Sequence, residues 1–256
     1  MLKESLLMLS AGFTTLSHAS TSFTDPLAEL DPQRWFLADG WENGFPFLNR
    51  WQQTQVEFNN NGLAIHLENR EDEHGYLDIL SGEIRTLGFY GNGCFQIEMK
   101  PVKGDGVISS FFLFAGPYDQ PEDGNGVHNE IDIEFIGANT NMVQFNFWTN
   151  DDNYQQKNEH IHYLDFDASE EFHTYAIEWN RRAIRWYIDG SVVYNVRHSE
   201  RLPIPMTSDT KLRAMMNVWA TDPSISNWAG EYKADIGIKH SAYYRNFKYS
   251  KSRCNK

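Results

Sequence analysis

Apolar and polar residues alternate in short runs along most of this chain, as in 93–99, 106–114, 142–148, 174–179 and 183–188, with turn residues between the runs. A period of two belongs to strands, whose side chains point to opposite faces in turn. Asp189-Gly190, between Ile184-Arg185-Trp186-Tyr187-Ile188 and Ser191-Val192-Val193-Tyr194, predicts a tight hairpin. Long helical periodicity is absent, and there is no internal repeat or low-complexity segment. Many short antiparallel strands over more than 200 residues predict an all-β sandwich or jelly roll.

One run stands out: His128-Asn129-Glu130-Ile131-Asp132-Ile133-Glu134-Phe135-Ile136-Gly137. As a strand it puts Glu130, Asp132 and Glu134 on one face and Ile131, Ile133 and Phe135 on the other. Three carboxylates on one face repel, which is acceptable where the face is fully solvated or where it is a site. At about 3.3 Å per residue, Glu130 and Glu134 are roughly 13 Å apart along the backbone, and side chains leaning together bring their carboxyls to about 5–6 Å. That spacing suits a retaining glycoside hydrolase, with one carboxylate as nucleophile and the other as acid. Asp132 between them could hold a proton or a hydrogen bond and drive the two glutamates apart in acidity. The competing reading is the wet face of an ordinary antiparallel strand.

Composition narrows the choice. With 41% hydrophobic residues and 14% aromatics there is material for a large core and a ring-lined groove. A formal charge of -13 argues against nucleic acid and anionic membrane surfaces as partners. Residues 1–19 read as an export signal, with Lys3, an apolar stretch from Leu6 to Leu16 and Ser17-His18-Ala19 as the cleavage site. No run approaches the 18 or more apolar residues of a membrane span. The rest, 20–256, has no linker and reads as one catalytic domain, expected to act as a monomer. Cys94 and Cys254 can form one long-range disulfide or remain free thiols, and the sequence does not choose.

The chain resembles family 16 glycoside hydrolases, most closely the bacterial lichenases (endo-β-1,3-1,4-glucanases), over about 35–249. The matching segments include Ala38-Asp39-Gly40-Trp41-Glu42-Asn43-Gly44, Ser81-Gly82-Glu83-Ile84-Arg85-Thr86, Val143-Gln144-Phe145-Asn146, Phe172-His173-Thr174-Tyr175-Ala176 and Met215-Met216-Asn217-Val218-Trp219, besides the uninterrupted E-x-D-x-E. The resemblance implies a concanavalin-like β-jelly roll of two curved antiparallel sheets with a substrate cleft across the concave face. It implies Glu130 as nucleophile, Glu134 as acid/base and Asp132 as the assisting carboxylate, with no metal or organic cofactor. Asn43, Glu83, Arg85, Phe112, Asn146, Asn217 and Trp219 occupy cleft positions of that family, with Trp41, Phe114 and Trp148 as neighbouring aromatics. For Phe112 and Trp219 the alternative is core packing, and for Glu83 and Arg85 a plain ion pair.

Some positions depart from the lichenase pattern. His128 stands where lichenases usually carry Trp and resembles the H-D-E-I-D-F-E run of xyloglucan transglycosylases; it could tune the nucleophile, bind a hydroxyl, or do neither. The family's disulfide positions align with Asn49 and Ser81, so that staple is missing, and Arg245 falls near the family's calcium-binding acid, so no calcium is expected. The insert at 117–127 is longer than in simple lichenases and could reshape one end of the groove. His160 and His162 could be half a metal site, though a plain strand fits them better. The expected activity is a secreted retaining endo-β-glucanase on mixed-linkage β-1,3-1,4-glucan. The alternatives are an endo-glycanase or transglycosylase on a succinoglycan-type exopolysaccharide or xyloglucan, and a non-catalytic carbohydrate-binding jelly roll. An anionic substrate would require Arg85, Arg181, Arg182 and Arg185 to gather.

Overall fold

The structure, a computed structural model, describes residues 22–119 and 123–254. The export signal expected at 1–19 lies outside the described residues. Numbered in chain order, the inner sheet runs β13 (His160–Tyr163), β12 (Met142–Trp148), β11 (Asn129–Ile136), β10 (Val107–Ala115), β17 (Arg213–Ala220), β8 (Glu83–Thr86) and β2 (Trp35–Leu37). The outer sheet runs β16 (Ser191–Arg197), β15 (Ala183–Ile188), β14 (His173–Asn180), β9 (Gly93–Lys100), β18 (Lys239–Ser250), β6 (Gly62–Glu71), β7 (Leu77–Ser81), β4 (Arg50–Trp51) and β3 (Trp41–Glu42). Two short strands add to it, β1 (Phe23–Asp25) on β18 and β5 (Val56–Asn59) on β6. All pairings are antiparallel except β4 with β7, and α1 (Ser226–Ala229) is the one α-helix among the described residues. This is the jelly-roll sandwich expected from the alternation.

Between the sheets lies one continuous apolar core, in which every other residue of the long strands is fully buried. On β11 these are Ile131, Ile133 and Phe135, on β10 Phe111 and Leu113, and on β12 Val143, Phe145 and Phe147. Since side chains alternate, burying these residues turns Glu130, Asp132 and Glu134 outward together. A slip of one residue would drive three carboxyls into the core, so the register of β11 is set by its isoleucines. The Asp189-Gly190 hairpin also forms, both residues having positive φ (47° and 78°) as a two-residue turn between β15 and β16 requires.

The outer sheet reaches through the core to the inner one. Trp186 Nε1 on β15 donates to the carbonyl of Asp132 at 2.9 Å. The Tyr244 hydroxyl on β18 lies 3.2 and 3.0 Å from the carbonyls of Ser110 and Asn217. Ser81 Oγ donates to the Val218 carbonyl at 2.6 Å, and Asn49 Oδ1 accepts the Ala220 N–H at 3.0 Å. The two positions that lack the family's cysteines thus each hold β17 by a hydrogen bond.

Cys94 and Cys254 form a disulfide, which settles the choice left open by the sequence. The C-terminal tail is carried to β9 by the Cys254 N–H, which donates to the buried Glu178 carboxylate. Arg245 pairs with Glu98 at 2.7 Å and stacks over Phe172. His160 lies 3.7 Å from Tyr194, ring on ring, and is packed as a strand residue. Because the disulfide closes a loop of 160 residues, Cys254→Ser is expected to lower stability by about 2–4 kcal/mol. Urea unfolding with and without reductant checks this: the variant and the reduced protein should match, both below the oxidised protein.

Candidate active site

Register places the candidate residues in rows across the open face of the inner sheet. One row reads Trp148, Glu130, Phe114, Arg213 from β12 to β17. The next reads Asn146, Asp132, Phe112, Met215, Arg85 and Phe36, and a third Gln144, Glu134, Ser110, Asn217 and Glu83. Directly opposed residues on neighbouring strands touch. The three carboxylates therefore have an aromatic or amide wall on the β12 side and Phe114, Phe112 and Ser110 on the other.

Asp132 is buried, and Glu130 and Glu134 are partly exposed. Burial raises the Asp132 carboxyl well above its usual range; the charges of Glu130 and Glu134 add to this, as does the hydrogen bond Asp132 shares with Glu130. Burial, with the charge of Glu130, pushes Glu134 up to about 7, against the Gln144 amide, which donates to Glu134 Oε2 at 3.2 Å. Gln144 is itself held by Trp228 Nε1, which donates to its Oε1 at 3.0 Å. Glu130 meets a different partner, His128 Nε2 at 2.6 Å from its Oε2. One strand face thus carries one carboxyl group beside an imidazole and two that burial shifts toward the protonated form. That is the division of labour acid catalysis with a nucleophile needs.

Glu83 is buried, accepts from Asn217 Nδ2 at 3.2 Å, and is pushed up to about 7 by burial. The Arg85 guanidinium stacks over Phe36 at 4.7 Å and Trp41 at 5.3 Å, and reaches Glu83 only as a nearby charge that partly offsets its burial. Asn146 Oδ1 accepts its neighbour's N–H, that of Phe147. Asn43 Oδ1 accepts from Trp51 Nε1 at 2.9 Å, which fixes the loop before β4 at the rim. Phe112 and Trp219 are both buried, Phe112 within the open face opposite Asp132 and Trp219 with Phe47 4.3 Å away, centroid to centroid. Trp219, Trp51, Ile108 and Ile136 form a second apolar cluster with Phe47 and Trp228, and this cluster closes one end of the face. Open aromatic surface near the carboxylates comes from Phe36, Trp41, Phe114, Trp148 and Tyr154.

Sequence reading did not reach Ser110, Gln144, Trp228 or Tyr154. Ser110 Oγ and Asn217 Oδ1 are buried neighbours on the Glu134 row without a protein partner, which suits them to bind a hydroxyl. A parity count from Phe112 and Asn146 picks out Ser110 and Gln144; Trp228 lies in the short helix α1 and Tyr154 in a loop, and neither gives such a signal. The described part of the 117–127 insert is tied down at the Glu130 end. Asp119 pairs with Arg213, and Asn125 bonds Asn150 and Asn129. The four arginines do not gather at the carboxylates: Arg181, Arg182 and Arg185 line a hollow with Lys251 and Arg253 around Glu178 of the outer sheet, while Arg85 is on the inner one. No group of three or more His, Cys, Asp or Glu side chains is arranged to hold a metal among the described residues.

A family model described as glycosyl hydrolases family 16 matches residues 44–237. A β-glucanase of Acetivibrio thermocellus is 36% identical over 230 residues, 90% of this chain and 63% of that protein, so the chain spans just under two thirds of this relative's length. A β-glucanase of Paenibacillus polymyxa is 36% identical over 225 residues, 88% of this chain and 87% of the relative. Among solved structures, a prokaryotic β-1,3-1,4-glucanase (lichenase) from a mouse hindgut metagenome superposes with a TM-score of 0.78 at 32% identity, covering 91% of this chain and all of that one, 100%.

The raised carboxyls make stability fall with pH. Glu134 has its pKa moved from 4.5 to about 7, so between those values the unfolded chain releases a proton that the folded chain keeps. The stabilisation of the folded acid is complete below pH 4.5 and lost as pH rises through 7. Glu134→Gln is therefore expected to be more stable than the unaltered protein by about 3 kcal/mol at alkaline pH, the gap closing in acid. Urea midpoints across the pH range check this, and a gap of constant size would contradict it.

Proposed function

Because the chain belongs to the glycosyl hydrolases of family 16, we propose that it is a secreted, monomeric, retaining endo-β-glucanase that hydrolyses mixed-linkage β-1,3-1,4-glucan. The observation that carries the reading is the E-x-D-x-E row with protonation divided along it: Glu134 holds a proton near neutrality, and Glu130 faces an imidazole nitrogen. The similarity to a lichenase over most of both chains supports the linkage. The disulfide fits an oxidising compartment outside the cytoplasm, and no helix among the described residues is long and apolar enough to cross a membrane.

In the first step Glu130 attacks the anomeric carbon while Glu134 gives its proton to the departing glycosidic oxygen, leaving a glycosyl-enzyme. In the second, Glu134, now a carboxylate, takes a proton from water. That water's oxygen bonds the anomeric carbon and the bond to Glu130 breaks, so configuration is retained. Asp132, which shares a hydrogen bond with Glu130 and is raised by burial, keeps a second negative charge away from the nucleophile. Trp148 and Trp41 offer ring faces to pyranoses at either side of the cleavage point, while Asn146, Ser110, Asn217 and Glu83 bind hydroxyls. Asn43, Arg85, Phe112 and Trp219 complete the walls, and a groove of this length suits attack inside a chain.

Glu130→Ala is expected to lose turnover by at least about 10³-fold. Added azide should restore cleavage of an activated aryl glycoside and yield the α-glycosyl azide; in Glu134→Ala the azide product should be β. Inverted product from the unaltered protein would overturn the retaining reading. Product analysis on barley β-glucan, laminarin, xyloglucan and succinoglycan tests the substrate, with oligosaccharides expected from barley β-glucan. Cleavage of xyloglucan instead would keep the chemistry and move the linkage.

A further inference from the structure

We propose that His128 is a positioning residue of the reaction: an imidazolium that holds Glu130 Oε2 through Nε2–H, leaves Oε1 to bond the sugar, and receives the charge that returns to Glu130 when the glycosyl-enzyme breaks down. The proposal rests on the retaining reading above.

Proton placement follows from the two ring nitrogens. Nδ1 lies 3.0 Å from the carbonyl oxygen of Asp151, which can only accept, so Nδ1 carries a proton. Nε2 lies 2.6 Å from Glu130 Oε2, where two facing lone pairs would repel, so a proton sits between them as well. The pair is either imidazolium with carboxylate or imidazole with carboxylic acid, and the surroundings decide between these. The charged or titratable groups facing the ring are Glu130 and Asp132 on β11, and Asp151, Asp152 and Tyr154 in the loop after β12. Tyr154 stays neutral, burial having pushed its hydroxyl up to about 12. The Phe114 and Trp148 rings, 5.5 and 5.9 Å away, favour a cation further. Burial works against the charge, yet the Glu130 hydrogen bond and the charges of Glu130 and Asp151 outweigh it and leave His128 raised.

The loop is built around this ring. The Asp151 carboxylate accepts the N–H groups of Asn153, Gln155 and Gln156, which turns its carbonyl to His128 Nδ1. The His128 N–H donates to Asp152 Oδ1 at 2.8 Å, and its carbonyl accepts the Asp151 N–H at 3.0 Å. Every polar group of His128 is thereby engaged, four by the loop and Glu130 together, and the side chain is 2% exposed. A histidine that merely ended a strand would not need its ring held at both nitrogens.

In the covalent cycle His128 gains and loses no proton. The pair of electrons in the C1–Oε1 bond returns to Glu130 when water adds, and the imidazolium stabilises that carboxylate, so its largest effect falls on deglycosylation. The test uses a 2,4-dinitrophenyl glycoside of a β-glucan oligosaccharide, whose leaving group needs no proton from Glu134. In a Glu134→Ala background, where breakdown of the glycosyl-enzyme limits turnover of this substrate, kcat should still fall at alkaline pH as His128 loses its charge, and adding His128→Gln should flatten that limb. His128→Gln alone should lower kcat on polysaccharide by roughly 10- to 100-fold, the worth of one charge-assisted hydrogen bond, and should enlarge the pre-steady-state burst. Side-chain ¹⁵N spectra of the unaltered protein should show both His128 nitrogens protonated at working pH, whether or not the variant folds. A neutral tautomer there, or an alkaline limb unchanged by His128→Gln, overturns the proposal. Failure of the retaining reading would appear separately, as the wrong anomer in the azide products.

Discussion

Three carboxyl groups on alternate residues of one strand, two of them at least partly desolvated, cannot all be ionised, and much of the surrounding structure answers that constraint. Burial and mutual repulsion keep protons on Asp132 and Glu134. Glu130 differs from them in its partners, with an imidazole against one oxygen and a hydrogen bond shared with the Asp132 carboxyl. An all-ionised row would cost stability and leave nothing to protonate a leaving group; an all-protonated row would have no nucleophile. The arrangement between these limits depends on neighbours drawn from three strands and a loop.

Those neighbours are held from behind. Trp186 and Tyr244 spend their polar ends on backbone carbonyls beneath Asp132, Ser110 and Asn217 while their rings fill the core. A buried indole or phenol without a partner would be costly, so these hydrogen bonds are as much a requirement of the core as of the groove. They couple the two functions: the packing that stabilises the sandwich also fixes the height of the residues that face the sugar. Gln144 repeats the logic on the open side, bound by Trp228 from the segment that closes one end of the face and passing a hydrogen bond to Glu134. Its donation favours the charged form of Glu134, against burial, and helps place the acid near neutrality instead of far above it.

The sequence by itself determined the faces. Alternation in 129–136 assigns Ile131, Ile133 and Phe135 to a core and Glu130, Asp132 and Glu134 together to the opposite face, because pleated backbone leaves no other choice once one set must be buried. The Asp189-Gly190 turn was equally legible, since few residue pairs tolerate two positive φ angles. Tertiary structure alone decided which strands flank that face, and so which side chains meet the carboxylates. Alternation shows that Ser110 and Gln144 lie on a face, but the β10–β11 and β11–β12 registers make them neighbours of Glu134. The pairing of Cys94 with Cys254 belongs to the same class, since a tail after a long strand can reach many places. His128 shows the limit most clearly. Its position before the acidic run is plain in the sequence, yet its protonation is set by a carbonyl 23 residues away and a carboxylate 2 residues away, contacts that exist only after the loop following β12 folds back. A strand's own period is a local property of its backbone, whereas proton placement depends on distances among groups that only the folded chain brings together.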